Sequence, residues 1–206
     1  MEYVACVLAG GYSVKQMGVD LNIFSKMRTI AVNDAVTHSP ATIGVSMDRL
    51  WMEHCAHIAI NDGKTLHLRD SAFNKSGLEL MPRIKLFGND HKSSKMSMDR
   101  GVLNGTNSGM CALNLIFQEW VQHVFLFGFD MKRTSGVPYW YPDYSWAKPG
   151  GGTSDGKYNA WSKEFGEIAN QFKDSGMKVY NVSPDSAIDA FEKIDYKEFL
   201  RRVNAT

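Results

Sequence analysis

A chain of 206 residues that is 44% hydrophobic and 22% charged can bury one sizeable core, and this composition excludes a disordered or fibrous protein. Lys and Arg number 23 against 22 Asp and Glu, a net charge of +1, so no global field draws the chain to nucleic acid, an anionic membrane or a polyanion. The three cysteines form no C-x-x-C and read as small buried hydrophobes, and no apolar run is long enough for a leader or a membrane span, so a cytoplasmic protein is expected.

Residues 3–11, YVACVLAGG, form a short apolar run ending in a glycine pair, which predicts a buried parallel strand feeding a loop. That loop, with Gly10, Gly11, Tyr12 and Ser13, lets backbone amides approach an anion, but it is neither G-x-G-x-x-G nor a P-loop. Ligand loop and plain turn both stand for it. Residues 27–36, MRTIAVNDAV, repeat the pattern and finish in Asn33 and Asp34, an amide suited to base or ribose hydroxyls and a carboxylate suited to a hydroxyl or Mg²⁺. The plain alternative is an Asx turn. Residues 41–48, ATIGVSMD, end in Asp48 with the same two readings, and RLWMEHCAHI behind them has helical spacing.

KTLHLRD and PRIKLFGND are weaker strand candidates, and residues 70–100 otherwise read as loop with short elements. In NSGMCALNLIFQEWV, residues Met110, Leu113, Ile116, Phe117 and Trp120 recur at spacings of three and four, an amphipathic helix. One capping residue suffices to start a helix, whereas GTNSGM supplies Thr106, Asn107 and Ser108 with Gly109 beside them, which makes all four candidate ligand contacts. HVFLFGFD is the most hydrophobic run and predicts the central strand. It ends in Asp130, and a buried carboxylate is expected to be bonded or functional.

The stretch after it is rich in Pro, Gly, Tyr and Trp, and long loops in compact domains are usually lids or binding loops, so residues 131–158 are read as a lid. A helix over 159–176 follows, then a strand in MKVYNVSPDSAI that carries Asn181, then a terminal helix YKEFLRRV. Phe199 and Leu200 on that helix cover the domain's own core or a second subunit of a homo-oligomer. The alternation predicts one α/β domain over 1–206: a doubly wound, mainly parallel, Rossmann-like sheet with helices on both faces and a long aromatic lid loop. Ligands of such sheets bind outside the carboxyl ends of the strands, where all the polar tips above fall. No histidine spacing marks a metal site and no G-x-S-x-G elbow marks a nucleophile.

In their order and spacing, LAGGYSV, IAVNDAV, TNSGMCALNLIFQEWVQHVFLFGFDM and VYNVSPDSAI resemble the bacterial single-domain sialyltransferases and the related family that includes 6-hydroxymethylpterin diphosphokinases. The resemblance covers most of the chain, and its third motif is the most specific. It implies a nucleotide-sugar-dependent glycosyltransferase with no tightly bound cofactor, a CMP- or UDP-linked donor, and a glycan or a hydroxylated nucleic-acid base as acceptor. Gly11 to Ser13, Asn33, Asn107 and Ser108 would meet the nucleotide, with Tyr139, Tyr141, Tyr144 or Tyr158 at its phosphate. Basic support for a nucleic-acid acceptor is confined to Lys85, Lys92, Lys95, Lys132 and Arg133.

Two positions depart from that pattern. The family's first loop carries Asn where this chain has Gly11, and the family's base is a lid histidine, whereas no histidine follows His123 here. An inverting transfer needs a base within reach of the acceptor hydroxyl, which leaves Asp130, Asp143, Asp155 or a residue from elsewhere as the catalytic candidate. Alternative readings are diphosphoryl transfer from ATP with Mg²⁺ on Asp34, Asp48 or Asp130, and a nucleotide-binding protein without catalysis.

Overall fold

The computed structural model describes residues 3–90, 93, 95–134, 136–142, 144, 146 and 153–204. In chain order the elements are β1 (Val4–Leu8), α1 (Ser13–Gln16), α2 (Ile23–Lys26), β2 (Arg28–Val32), a 3₁₀ turn (Asn33–Val36), β3 (Ile43–Ser46), α3 (Arg49–Asn61), β4 (Thr65–Arg69), α4 (Asp70–Phe73), β5 (Ile84–Phe87), α5 (Ser108–Phe117), β6 (His123–Phe127), α6 (Asp155–Asp174), β7 (Lys178–Val182), β8 (Glu192–Lys193) and α7 (Tyr196–Val203). The strands form one eight-stranded sheet of order β5-β4-β3-β2-β1-β6-β7-β8. Every strand pair is parallel.

Strand alternation explains why helices cover both faces. Along β1, Ala5 and Val7 join the cluster of Met110 and Ile116 from α5 and Phe165 and Phe172 from α6. Cys6 and Leu8 join the opposite cluster, with Trp51 and Met52 from α3 and Phe199 from α7. A strand buried on both sides has no polar face to offer, which is why its sequence reads as an unbroken apolar run. The same alternation holds along β6, where Val124 and Leu126 face α5 and α6 while Phe125 and Phe127 face α7. Phe199 is fully buried against Phe125 and Phe127, with ring centroids 4.9 Å from each, so the terminal helix covers the domain's own core.

The architecture is therefore the predicted α/β doubly wound, Rossmann-like one, with three additions. The weak candidates at β4 and β5 are strands, and β8 extends the far edge. The helix expected over 159–176 begins at Asp155, so the last four residues of the segment read as a lid form its first turn. No helix among the described residues is long and apolar enough to cross a membrane.

Chain direction fixes where a ligand can enter. The strands step outward from β1 to β5, and β6 then returns to the other side of β1. Strand order reverses between β1 and β6, and a crevice opens at their carboxyl ends because the following loops leave in opposite directions.

Candidate functional site

The crevice holds a cavity of about 330 Å³. Its floor is a close crossing of loops that only glycine permits. Gly11 donates its N–H to the carbonyl of Gly128 at 2.9 Å, and a Cβ on Gly11 would lie 2.5 Å from Cγ of Asp130. A Cβ on Gly10 would meet the Tyr141 hydroxyl at 2.6 Å, so the missing side chain lets the aromatic segment settle on the β1 loop. Trp140 fastens that segment, with Nε1–H donated to the Ala9 carbonyl at 2.8 Å and its backbone N–H to Gly10 at 3.0 Å.

Asp130 buckles this floor together. It is 2% exposed, and its carboxylate accepts hydrogen bonds from the Ser13 N–H (2.9 Å), the Ser13 hydroxyl and the Ser183 hydroxyl (2.8 Å). β6 lies between β1 and β7, so a carboxylate at its end reaches the loops of both neighbours. The bonded alternative foreseen for a buried carboxylate is the one realised, although Asp130 also lines the cavity.

The opposite wall comes from β2, β3 and the start of α5. Asn33 adopts φ 50°, in the left-handed region that Asn tolerates better than most residues. Asn33 lines the cavity, whereas Asp34 accepts bonds from Thr37 Oγ1 (2.8 Å) and Trp51 Nε1 (3.2 Å) and pairs with His38 Nε2 (3.0 Å). Asp34 is thus part of the packing against α3. Asp48 lines the cavity and caps α3, with Oδ1 accepting from the amides of Leu50 (2.9 Å) and Trp51 (3.3 Å). Among the described residues its Oδ2 has no partner. The three carboxylates proposed for Mg²⁺ are engaged separately, and no group of three or more metal-type side chains occurs among the described residues.

GTNSGM divides its labour as follows. Asn107 caps α5 by accepting the Met110 N–H at 3.0 Å, and Ser108 Oγ accepts the Met47 N–H at 3.0 Å. Thr106 donates to Glu164 of α6. Gly105, at φ 144°, and Gly109 pack too closely on Met110 and Phe129 for any side chain. All of Thr106, Asn107, Ser108 and Gly109 line the cavity. Two wall residues carry buried side-chain atoms without a partner among the described residues, Oδ1 of Asn33 and Nδ2 of Asn107. Leaving such a group buried and unpaired costs about 1–3 kcal/mol.

Aromatic side chains line a further side of the cavity. Tyr139 stacks on Tyr141 at 5.3 Å, Tyr144 packs against both, and Tyr141 stacks in turn on His38 at 5.3 Å. Burial pushes the Tyr141 and Tyr144 hydroxyls well up and raises that of Tyr158, so all three remain neutral donors near neutral pH. The first two turns of α6 add Lys157, Tyr158 and Trp161, and the loop after β6 adds Lys132.

Of the candidates named from sequence, Gly10, Gly11, Asn33, Asp48, Thr106 to Gly109, Asp130, Lys132, Tyr139, Tyr141, Tyr144 and Tyr158 line one cavity. Ser13 faces an adjoining cavity of about 140 Å³ on the far side of Asp130, and Tyr12 precedes α1 without lining either. Asn181 is fully buried and donates to the Phe129 carbonyl at 3.3 Å, a support for the β6 end. Asp155 stands exposed in the first turn of α6 and lines neither cavity. Asp143 lies outside the described residues. Sequence reasoning missed Lys157 and Trp161, although Tyr158, Trp161, Phe165, Ile168 and Phe172 already show helical spacing behind Ser154.

Comparison with protein-family models, curated protein sequences and solved structures yielded no match.

Proposed function

We propose that the chain is a nucleotide-sugar-dependent glycosyltransferase whose donor binds in the strand-end cavity, with a glycan or a hydroxylated nucleic-acid base as acceptor. The observation that carries this reading is the pair of unpartnered buried amide atoms, an acceptor on Asn33 and a donor on Asn107, in one wall. Buried polar groups in folded proteins are nearly always bonded, and an acceptor and a donor on the residues of one wall are what the edge of a base or a ribose would satisfy. The N–H groups of Ser108 and Gly109 at the start of α5 have no acceptor among the described residues, which suits an anion such as a nucleotide phosphate. The aromatic wall gives an activated sugar an apolar surface to pack on, and the resemblance of GTNSGM to the sialyltransferase turn points to the same chemistry.

The base in this reading is Asp48. Asp130 is committed to Ser13 and Ser183, whereas Asp48 keeps one carboxylate oxygen free at the cavity. It takes the proton of the acceptor hydroxyl as that oxygen attacks the anomeric carbon.

Thermal unfolding with CMP, CDP, UMP and UDP tests the binding step. A nucleotide at 100 times its dissociation constant adds ~2.7 kcal/mol, which raises Tm by roughly 5–10 °C in a chain of this size. Asn107→Ser keeps a capping oxygen and removes Nδ2, so it is expected to leave the unliganded Tm nearly unchanged and to weaken the nucleotide about tenfold. If no nucleotide moves Tm, the reading fails. For the base, Asn is as good a cap as Asp, so Asp48→Asn should retain stability and nucleotide binding while slowing turnover of a nucleotide sugar by about 10²-fold or more. Undiminished turnover would remove Asp48 from the mechanism.

A further inference from the structure

The two lysines on the cavity bear on which nucleotide is bound. Lys132 follows β6 and Lys157 lies in the first turn of α6, so separate segments bring two cations to one space. Neither side chain has an ion pair or a hydrogen bond among the described residues; Lys157 Nζ only lies 5.8 Å over the Trp161 ring. Of the carboxylates that share the cavity, Asp130 is held by Ser13 and Ser183, and Asp48 is held by backbone amides through Oδ1 alone. Two cations on the lining of one cavity favour an anion that meets both, and such an arrangement discriminates between ligands by charge.

The nucleotide-sugar classes differ in that charge. A nucleoside-monophosphate sugar has a single negative charge on its linking phosphate. A nucleoside-diphosphate sugar has two, one for each lysine, and its leaving group gains a third as the glycosidic bond breaks. We infer that the donor is a nucleoside-diphosphate sugar, and that Lys132 and Lys157 hold its diphosphate. This assignment rests on the glycosyltransferase reading and chooses between the CMP- and UDP-linked donors that reading leaves open. In the transfer, the bond from the anomeric carbon to the terminal phosphate oxygen breaks with its electron pair leaving on the diphosphate. The acceptor oxygen forms the new bond to that carbon, and its proton passes to Asp48. The lysines stabilise the charge that develops on the leaving group, which is where a fixed cation contributes most.

Isothermal titration of the purified full chain with UMP, UDP, CMP, CDP and inorganic pyrophosphate tests the assignment. The diphosphate of each nucleoside is expected to bind at least about tenfold tighter than its monophosphate, a difference of about 1.4 kcal/mol. Pyrophosphate alone should bind more weakly than either nucleoside diphosphate. Both lysines are exposed, so Lys132→Ala/Lys157→Ala should fold normally by circular dichroism, and in it the preference for diphosphate should vanish while monophosphate binding persists. Lys132→Arg/Lys157→Arg should retain the preference. Equal affinity for mono- and diphosphates in the unmodified chain overturns this inference and leaves the nucleotide reading intact, as does a preference that survives in the double Ala variant. Pyrophosphate binding as tight as UDP overturns the assignment of a nucleoside at the site, and no binding of any probe overturns both readings.

Discussion

Replacing Asp130 by Ala is expected to lower the stability of the fold by about 3 kcal/mol, the range seen when a buried, multiply bonded charge loses its partners. The side chain is almost fully buried and takes three donors, two from the β1 loop and one from the β7 loop. Its own backbone carbonyl accepts the Ala187 N–H at 2.9 Å, so the same residue also anchors the turn beyond Ser183. Without the carboxylate, the Ser13 amide and two hydroxyls lose their acceptor inside the fold. The loops they hold carry the floor of the cavity, so nucleotide binding should be lost together with stability. A urea titration measures the first effect: with a slope of ~2 kcal/mol/M, the midpoint should fall by about 1.5 M. Asp130→Asn retains an acceptor for the serine hydroxyls but opposes an N–H to the Ser13 N–H, and an intermediate loss is expected. Asp155→Ala, in the exposed first turn of α6, should cost only ~0.5 kcal/mol through the helix dipole. Similar midpoints for the Asp130 and Asp155 variants would contradict the buckle.

The strand ends were legible in the sequence because burial on both faces keeps β1 and the later residues of β2 and β6 apolar. Polarity therefore begins where the strand stops, at Gly10, Asn33, Asp48 and Asp130, and all four of these reach the cavity. Which of two adjacent polar residues would face a ligand was not legible. Asn33 and Asp34 differ by one position, and the left-handed backbone at Asn33 leaves that side chain in the wall while Asp34 binds Trp51 and His38 instead. Nor does local pattern reveal strand order, since pairing β6 to β1 joins residues more than a hundred positions apart. Lys157 escaped notice for a simpler reason. Glycines and prolines dominate the approach to α6, and they masked the cap at Ser154 whose hydroxyl accepts the Lys157 N–H. Once the helix starts at Asp155, positions 157, 158 and 161 fall on the wall of the cavity.

A severely damaging single methyl group is expected at Gly128. This residue has φ 69°, and a Cβ there would lie 2.6 Å from the carbonyl oxygen of Ala9 and 2.9 Å from the amide nitrogen of Gly11. A flexible side chain could move aside, but backbone atoms cannot. The Gly11 N–H is bonded to the Gly128 carbonyl at 2.9 Å and the Ala9 N–H to Phe127 at 2.8 Å, which fixes the two chains at that separation. Gly128→Ala therefore adds the ~1 kcal/mol of left-handed strain to the parting of β1 from β6 at the switch point, for a total of about 4 kcal/mol or more. Gly176 supplies the control, with φ 80° and nothing within 4 Å of a built Cβ. Gly176→Ala incurs the strain alone, so its urea midpoint should fall by about 0.5 M, against about 2 M for Gly128→Ala. Equal shifts would mean that the loops at the ends of β1 and β6 can separate freely. The cavity they enclose would then have no rigid floor on which to orient a donor.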